Sequence, residues 1–295
     1  MVADFRLSFF WVASILMVSN AVLAADPPRN STMTSPLPKE TEASLSAGGV
    51  RHMIGVGGEV FVYYGLDNIL SPRAYRGADF GGALFYEYRG DKNRHDVSVN
   101  AGVGHPTPRT DTYTAELDVD GNPEFEKAET FQVQGEIRYA YHRILYQGNA
   151  LDIGVGGALD AYINYLDATG FTWLAAYSLN PSVIADWRPK PKHMIRARVF
   201  TPLLTFLSRP TWTVFDDAVM DRPAWTNLFV AEVTSVHQFA RVAAQLMYEW
   251  TAFNHVAFAF VYELSYIHTT EPRQADSLCN NVQLAVIPNF TRRHR

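Results

Sequence analysis

Residues 131–143 alternate between apolar and polar side chains more regularly than any other part of the chain. One set of alternate positions is apolar or aromatic, and the other set is mostly polar. The first set is Phe131, Val133, Gly135, Ile137, Tyr139 and Tyr141, and the second is Gln132, Gln134, Glu136, Arg138, Ala140 and His142. A period of two predicts a β-strand whose two faces meet different environments.

Similar alternation recurs along the chain and predicts ten strands. Their ranges are 51–64, 77–89, 93–104, 129–144, 150–165, 171–187, 193–206, 239–251, 254–268 and 280–290. A transmembrane strand needs about 9–11 residues, so each predicted strand is long enough to cross a bilayer. The segment 228–236 also has strand character, and one further pair of strands would make twelve.

The connections between the predicted strands differ in length on the two sides. Four of the five links that follow odd-numbered strands are long, whereas all four links that follow even-numbered strands are short. This asymmetry is typical of outer-membrane barrels. The predicted fold is therefore all-β: a closed antiparallel transmembrane barrel of about ten strands, with twelve as the alternative. Its apolar face would meet lipid and its polar face would line the lumen.

Aromatic residues and lysines support this orientation. Aromatic side chains lie near the C-terminal ends of the descending strands and the outer ends of the ascending ones, as in the two interfacial girdles of membrane barrels. They include Tyr86, Tyr88, Tyr139, Tyr141, Trp187, Tyr248, Trp250, Phe290, Tyr165, Tyr262 and Tyr266. All five lysines fall in the tail, the turns or a loop.

The N-terminus reads as an export signal. Arg6 precedes an apolar run at 7–18, and Val22, Leu23 and Ala24 form a small-residue cleavage site. We assign 1–25 to a signal peptide, 26–48 to a flexible segment, 49–290 to the barrel and 291–295 to a C-terminal tail. The expected location is the outer membrane of a Gram-negative bacterium, with its lipids and the barrel-insertion machinery as partners.

Composition excludes several classes of protein. The 295-residue chain has a formal net charge of −5, which gives no basic patch for nucleic acid. Cys279 is the only cysteine, so an intrachain disulfide is excluded. Charged residues make up 19% of the chain and aromatic residues 13%, which fits extensive lipid-facing area.

Twelve charged side chains fall on the predicted lumen face. They are Glu87, Arg89, Glu136, Arg138, Asp152, Asp160, Asp186, Arg196, Arg198, Arg241, Glu249 and Glu263. Barrels near eight strands are filled by their own side chains, so opposite charges are expected to pair across a narrow interior. This favours a non-enzymatic structural, surface-exposed or narrow-channel (porin-like) barrel. A pathway for a small solute is the other interpretation of the same residues.

Two enzyme classes are weighed against this role. Outer-membrane lipid hydrolases use a Ser with a nearby His, and Ser235 and His237 share one face two residues apart. They are the only candidate catalytic residues, for a hydrolase acting on lipid at the barrel rim. Outer-membrane proteases use acidic pairs with a His, but no Asp-x-His accompanies Asp216, Asp217 and Asp221. A soluble barrel that binds lipid inside is the third alternative.

No metal or cofactor is expected. Residues 118–124 resemble a calcium loop only in part, because the Glu at the twelfth position is missing. Asp120 and Gly121 instead predict a turn within a loop hairpin. The nine histidines show no metal-ligand spacing on a shared face, and no phosphate-binding glycine loop is present.

Two segments carry a family resemblance. Residues 64–72, continuing to Tyr75 and Gly77, resemble the first loop of an uncharacterised family of bacterial outer-membrane barrels, and 201–204 resemble its later strand-to-loop junction. The resemblance implies the fold and the location, and it implies no reaction. The last strand ends on Phe290, as in strands presented to the insertion machinery, but five residues follow it.

Overall fold

The computed structural model describes residues 51–67, 71–108, 113–117, 123–127, 130–167, 171–209, 232–234, 238–253, 256–270 and 274–291. Fifteen strands occur in these residues. They are β1 (Arg51–Asp67), β2 (Ser71–Arg89), β3 (Asn93–Gly104), β4 (Thr107–Pro108), β5 (Tyr113–Leu117), β6 (Pro123–Lys127), β7 (Phe131–Gln147), β8 (Leu151–Asp167), β9 (Phe171–Lys190), β10 (His193–Phe200), β11 (Leu204–Ser208), β12 (Glu232–Thr234), β13 (Phe239–Phe253), β14 (Val256–Thr269) and β15 (Ala275–Thr291). Over the described ranges, no helix has the length and apolar character needed to cross a membrane.

Ten of these strands close into a ring. Each pairs antiparallel with the next in the order β1, β2, β3, β7, β8, β9, β10, β13, β14 and β15, and β15 pairs with β1. Closure gives both sides of every ring strand a hydrogen-bonded neighbour, which a barrel in lipid requires. The predicted all-β, ten-stranded antiparallel barrel is confirmed, and the described strands adopt this arrangement instead of the twelve-stranded alternative.

The ring is broken once, next to β9. The two halves of β9 pair with β10 and with β11, and residues 201–203 lie between these two partners. Pro181 on β9 and Pro202 in the gap both lack the N–H that a continuous ladder needs. Pairing resumes where the N–H of Leu203 donates to the carbonyl of Leu179 at 2.8 Å. The single strand predicted at 193–206 is therefore two strands that share one place in the ring.

Strand β12 extends the neighbouring ring position. It pairs with β11, while β13 pairs with β10, so β12 and β13 follow one another along the same ladder. The strand character noted at 228–236 thus adds no ring position, although only 232–234 of that segment are described. The long link after β3 contains β4 and the hairpin of β5 and β6. The loop hairpin is confirmed by that pairing, and its turn at 118–122 lies outside the described residues.

The two faces of the wall differ as the alternation predicts. Along β7 the exposed and buried positions alternate, so Ile137 is 56% exposed while Arg138 beside it is 3% exposed. Aliphatic and aromatic side chains therefore point out of the barrel, and ionic side chains point into it. The short turns after β2, β7, β9 and β13 lie at one end, called the turn end below, and the opposite end is called the loop end.

Apolar side chains also enter the lumen. Met53, Met194 and Met247 cluster with Ile287 on the wall formed by β1, β10, β13, β14 and β15. A second cluster toward the loop end contains Tyr162, Leu207, Phe239 and Ile267. The flexible thioethers of the methionines fill irregular space beside the ionic groups. The interior is thus packed with both apolar and charged side chains. The assigned signal peptide (1–25) and flexible segment (26–48) lie outside the described residues and stay predictions.

Candidate functional site: the ion-paired lumen

All twelve charged side chains assigned to the lumen from the sequence lie inside the barrel. Each is at most 9% exposed. They come from seven strands, because the inward positions of β2, β7, β8, β9, β10, β13 and β14 all contribute. The structure collects ten of them into two networks at different depths. The remaining two, Asp152 and Arg198, pair with charged residues that the sequence analysis did not select.

The turn-side network contains Glu87, Arg89, Asp186, Arg196 and Glu249. Arg196 donates to the two carboxylate oxygens of Asp186 at 2.6 and 3.0 Å and lies 2.7 Å from Glu87. Arg89 donates to Glu87 at 2.7 Å and to Glu249 at 2.6 Å. Strands β2 and β10 are five places apart in the ring of ten. The Arg196–Glu87 pair therefore spans the full width of the lumen.

The mid-lumen network contains Glu136, Arg138, Asp160, Arg241 and Glu263. Arg138 donates to both oxygens of Glu263 at 3.1 and 3.2 Å and also pairs with Glu136. Arg241 donates to Glu136 at 2.5 Å and to Asp160 at 2.9 Å. Strands β7 and β14 are likewise five places apart. A second layer of charge therefore crosses the interior from wall to wall.

Amide and aromatic neighbours complete the mid-lumen network. Asn180 donates to Asp160 at 2.5 Å, and Gln245 donates to Glu263 at 3.1 Å. The guanidinium of Arg138 lies 3.9 Å from the ring centroid of Phe200, and that of Arg241 lies 4.5 Å from Tyr162. Buried charges need such additional partners, since pairing alone seldom offsets the loss of water. Stacking on an aromatic face suits the planar guanidinium of Arg.

Arg94 and Asp96 are lumen charges that the sequence analysis missed. Arg198 donates to both oxygens of Asp96 at 2.9 and 2.7 Å, which makes the pair bidentate. Asp152 lies 2.8 Å from Arg188 and 3.5 Å from Arg94. The signal was present, because Arg94, Asp96, Ser98 and Asn100 alternate along β3 with apolar or outward positions.

Two acids in the lumen have amide partners instead of cations. Glu59 accepts from Asn281 at 3.1 Å, and Asp79 accepts from Gln134 at 2.9 Å. Both are buried, at 4% and 0% exposure. One oxygen of each carboxyl has no hydrogen-bond partner among the described residues.

The structure brings together one buried Ser–His pair. His142 Nε2 and Ser182 Oγ lie 2.7 Å apart and share a hydrogen bond. They meet across Gly156 of β8, where a Cβ would stand 1.8 Å from the Tyr141 carbonyl oxygen. The Nδ1 atom of His142 has no partner among the described residues, so no acid orients the ring. Both side chains are buried in the filled lumen, away from any lipid.

Several candidates from the sequence lie outside the described residues. This applies to Ser235, His237, Asp216, Asp217 and Asp221, and to the calcium-like segment at 118–122. In the described part of the chain, no group of His, Cys, Asp and Glu side chains is arranged to hold a metal ion. The expectations about catalysis, metals and cofactors stay predictions.

Histidines join the aromatic girdle at the turn end. His52 shares a hydrogen bond of 2.8 Å with the hydroxyl of Tyr86, and His95 shares one of 2.9 Å with Tyr139. On the other side of the barrel, His193 shares one of 2.7 Å with Tyr248. Each histidine reaches a tyrosine diagonally across a strand pair. Cross-strand pairing therefore places these three histidines beside tyrosines of the girdle.

Asp276 marks the loop end, beyond the outer girdle. Its carboxylate accepts hydrogen bonds from Tyr266 at 2.8 Å and Gln274 at 2.9 Å, and lies 2.6 Å from His268. Partial burial raises the pKa of Asp276, but the hydrogen bonds from His268, Tyr266 and Gln274 outweigh it and hold the pKa below its usual value. These contacts tie β14 to β15 where the strands leave the barrel wall.

A cavity of about 30 Å³ lies next to Asp276 at the loop end. Its lining includes Tyr63, Tyr162, Trp173 and Ile267. A space of this size holds about one water molecule. The side chains beside Asp276 therefore leave only a small space between them.

The chain is similar to several solved outer-membrane proteins, each at low sequence identity. The outer membrane protease OmpT from Escherichia coli matches 84% of this chain and 98% of its own, at 7% identity and a TM-score of 0.43. For Ail, the attachment invasion locus protein of Yersinia pestis, the match covers 82% of this chain and 99% of that protein, at 10% identity and a TM-score of 0.30. For Neisserial surface protein A the match covers 80% of this chain and 97% of that protein, at 10% identity and a TM-score of 0.33. Because these TM-scores are low, the barrel assignment rests on the strand pairing within the chain itself.

No protein-family model matches the chain, and no curated protein matches it in sequence. The resemblance of residues 64–77 and 201–204 to an uncharacterised family of outer-membrane barrels therefore stays a prediction.

Proposed function

We propose that this chain is a barrel of the Gram-negative outer membrane whose lumen is closed by its own ion pairs, and that it serves as a structural or surface-exposed barrel. The apolar outer face supports the location. Val56, Phe80, Leu159, Val183 and Leu284 each expose 51–65% of their surface around the wall. Water would make such a continuous apolar band costly, whereas hydrocarbon would favour it.

The charge pairs that cross the lumen are the observation that carries the closed state. Arg138 with Glu263 and Arg196 with Glu87 each join opposite walls, at 3.1 and 2.7 Å. A hydrated solute could pass only after both layers had separated. Breaking one buried pair costs about 3–5 kcal/mol, because it leaves an unpaired charge in a water-poor interior. The two layers therefore act as a plug built from side chains of the wall.

Planar-bilayer conductance tests the closed state. Wild-type protein should produce no steady conductance. The variant E87A/R196A/R138A/E263A removes both crossing pairs with no change in net charge and should conduct. The matched control R76A/D91A removes two exposed opposite charges and should stay silent. Steady ion conductance by folded wild-type barrels would contradict the closed lumen and favour the narrow-channel interpretation.

Sodium carbonate extraction tests the location separately. A membrane barrel should stay in the envelope pellet, and a soluble lipid-binding barrel should wash out. Phe290 supports delivery by the barrel-insertion machinery, because it ends the last strand of the sequence-predicted barrel. F290A should then slow insertion in cells more than spontaneous folding into vesicles.

A lipid hydrolase at the rim remains the candidate from another class. Its residues would be Ser235 and His237, and its substrate would be a membrane lipid. If the folded protein hydrolyses phospholipid, S235A and H237A should each abolish the activity while the barrel still inserts. The buried pair of Ser182 and His142 supplies a control, because S182A should leave any such activity unchanged.

A further inference from the structure

Among the residues that the structure describes, four exposed cations lie at the turn end. Lys92 is in the turn after β2, Arg143 is on the outward face of β7, Lys190 ends β9, and Lys192 is in the turn after β9. These four residues are called the basic arc. Lys92 and Arg143 lie beside β3 and on β7, and Lys190 and Lys192 lie at the turn between β9 and β10, with β8 separating the two pairs in the ring. The basic arc therefore covers about half of the barrel's circumference.

The acids at this end do not neutralise the basic arc. Asp91 is the one exposed acid there among the described residues. Asp152, Asp186 and Glu249 are buried and paired with arginines inside the lumen. Arg188 is not counted in the basic arc because it is held 2.8 Å from Asp152.

The positive charge is local and does not follow from composition. The chain as a whole carries a formal net charge of −5. Three of its five lysines nevertheless belong to the basic arc. A chain that is acidic overall thus concentrates cations at one end.

The girdle fixes the depth of the basic arc. The ring centroids of His95 and Tyr141 lie 4.9 Å apart on the outer face, next to the His95–Tyr139 hydrogen bond. Arg143 follows Tyr141 by two residues on the same outward face, toward the turns. Aromatic girdles lie at the headgroup level of a bilayer. The guanidinium of Arg143 is therefore placed where lipid phosphates lie.

We propose that the basic arc binds the headgroups of anionic phospholipids in the leaflet that the turns face. This rests on the proposed membrane location. Four exposed cations that form no ion pair among the described residues, one of them placed at phosphate depth, suit phosphate-diester lipids with net negative charge, such as phosphatidylglycerol or cardiolipin. Zwitterionic lipids offer the same phosphate but cancel it with an amine. Binding therefore discriminates by headgroup charge and holds the barrel at a fixed depth.

Lipid titration of the folded protein in detergent, read by native mass spectrometry, tests the proposal. Phosphatidylglycerol should bind more tightly than phosphatidylethanolamine. The variant K92Q/R143Q/K190Q/K192Q should lose at least roughly tenfold in affinity for phosphatidylglycerol, since each cation near an anionic surface contributes about 1 kcal/mol. Its affinity for phosphatidylethanolamine should not change. R76Q, which removes an exposed cation at the loop end, should bind like wild type.

Equal binding of the two lipids by wild type would overturn the proposal, as would unchanged phosphatidylglycerol binding by the fourfold variant. Insertion into phosphatidylcholine vesicles separates this failure from failure of the proposed function. If the barrel inserts but shows no charge discrimination, only the basic arc is refuted. If wild-type protein does not insert at all, the membrane location is refuted.

Discussion

Removal of Arg138 alone should destabilise the barrel far more than removal of Arg138 together with its partner. The side chain is 3% exposed, donates two hydrogen bonds to Glu263 and pairs with Glu136. The variant R138M keeps the volume but leaves Glu263 with only Gln245 at 3.1 Å and Arg241 at 3.8 Å. Removing one member of a buried pair costs about 3–5 kcal/mol, so R138M should lose that much free energy of unfolding.

The double variant R138M/E263M should recover at least about 2 kcal/mol of that loss. It removes both charges, and replacing a whole buried pair by apolar groups of similar volume is often close to neutral. Glu136 keeps its partner Arg241 at 2.5 Å in either variant. The coupling between the two positions should therefore be large, as expected for residues in one network.

Equilibrium unfolding in urea, from lipid vesicles and followed by tryptophan fluorescence, measures these differences. R76M, at an exposed position, should change stability by no more than about 0.5 kcal/mol. A loss below about 1 kcal/mol for R138M would show that Arg138 is hydrated or mobile in the lumen. A double variant no more stable than R138M would show that the pair acts through packing, and either result refutes the reasoning.

Three further predictions concern other parts of the barrel. L159R places a charge at the middle of the outer wall, at a position 57% exposed, and should lower the free energy of unfolding in vesicles by about 2–4 kcal/mol. L145R, near the turns, should lower it by only about 0–1 kcal/mol. Equal losses would contradict a lipid-facing band. G156A should prevent folding or separate His142 from Ser182, because the added Cβ would stand 1.8 Å from a backbone oxygen. In a gel-shift assay of folding, the control G135A should fold like wild type, because its added Cβ would have its nearest contact at 3.5 Å. Because the folded pKa of Asp276 is depressed, its contribution is present above the unfolded value of about 3.9 and is lost as pH falls below it. The protection of the loop-end amides of β14 and β15 against hydrogen exchange, corrected for the intrinsic exchange rate at each pH, should therefore fall between pH 5 and pH 3, and D276N should show low protection at both values. Wild-type protection factors independent of this acidification would contradict the assignment.

The fold was largely predictable because a barrel repeats one simple pattern. A period of two along β7 separates Ile137 from Arg138 onto opposite faces, and the same logic holds around the ring. Turn lengths then set the order and direction of the strands. The break beside β9 was harder to predict, because it depends on the register that brings Pro181 of β9 opposite the gap that contains Pro202.

The sequence predicted which charged side chains face the lumen, but it did not predict which of them pair with each other. Alternation assigns Arg138 and Glu263 to the interior, but their contact across the barrel depends on the register of every strand between them. Arg94 and Asp96 were missed although β3 carries the same alternation. The tyrosine partners of His52 and His95 also follow from register, because each histidine reaches a hydroxyl diagonally across a strand pair.

Lipid-attached nitroxide quenching along β7 is the most direct test of the central claim that the apolar face meets hydrocarbon and the ionic face lines a closed interior. In a C279S background, single cysteines at 132, 133, 134, 137, 139 and 140 would carry a fluorescent probe in vesicles. Probes at 133, 137 and 139 should be quenched strongly by nitroxides on acyl chains, and those at 132, 134 and 140 should not. Quenching that fails to alternate, or that alternates with the opposite phase, would contradict the account.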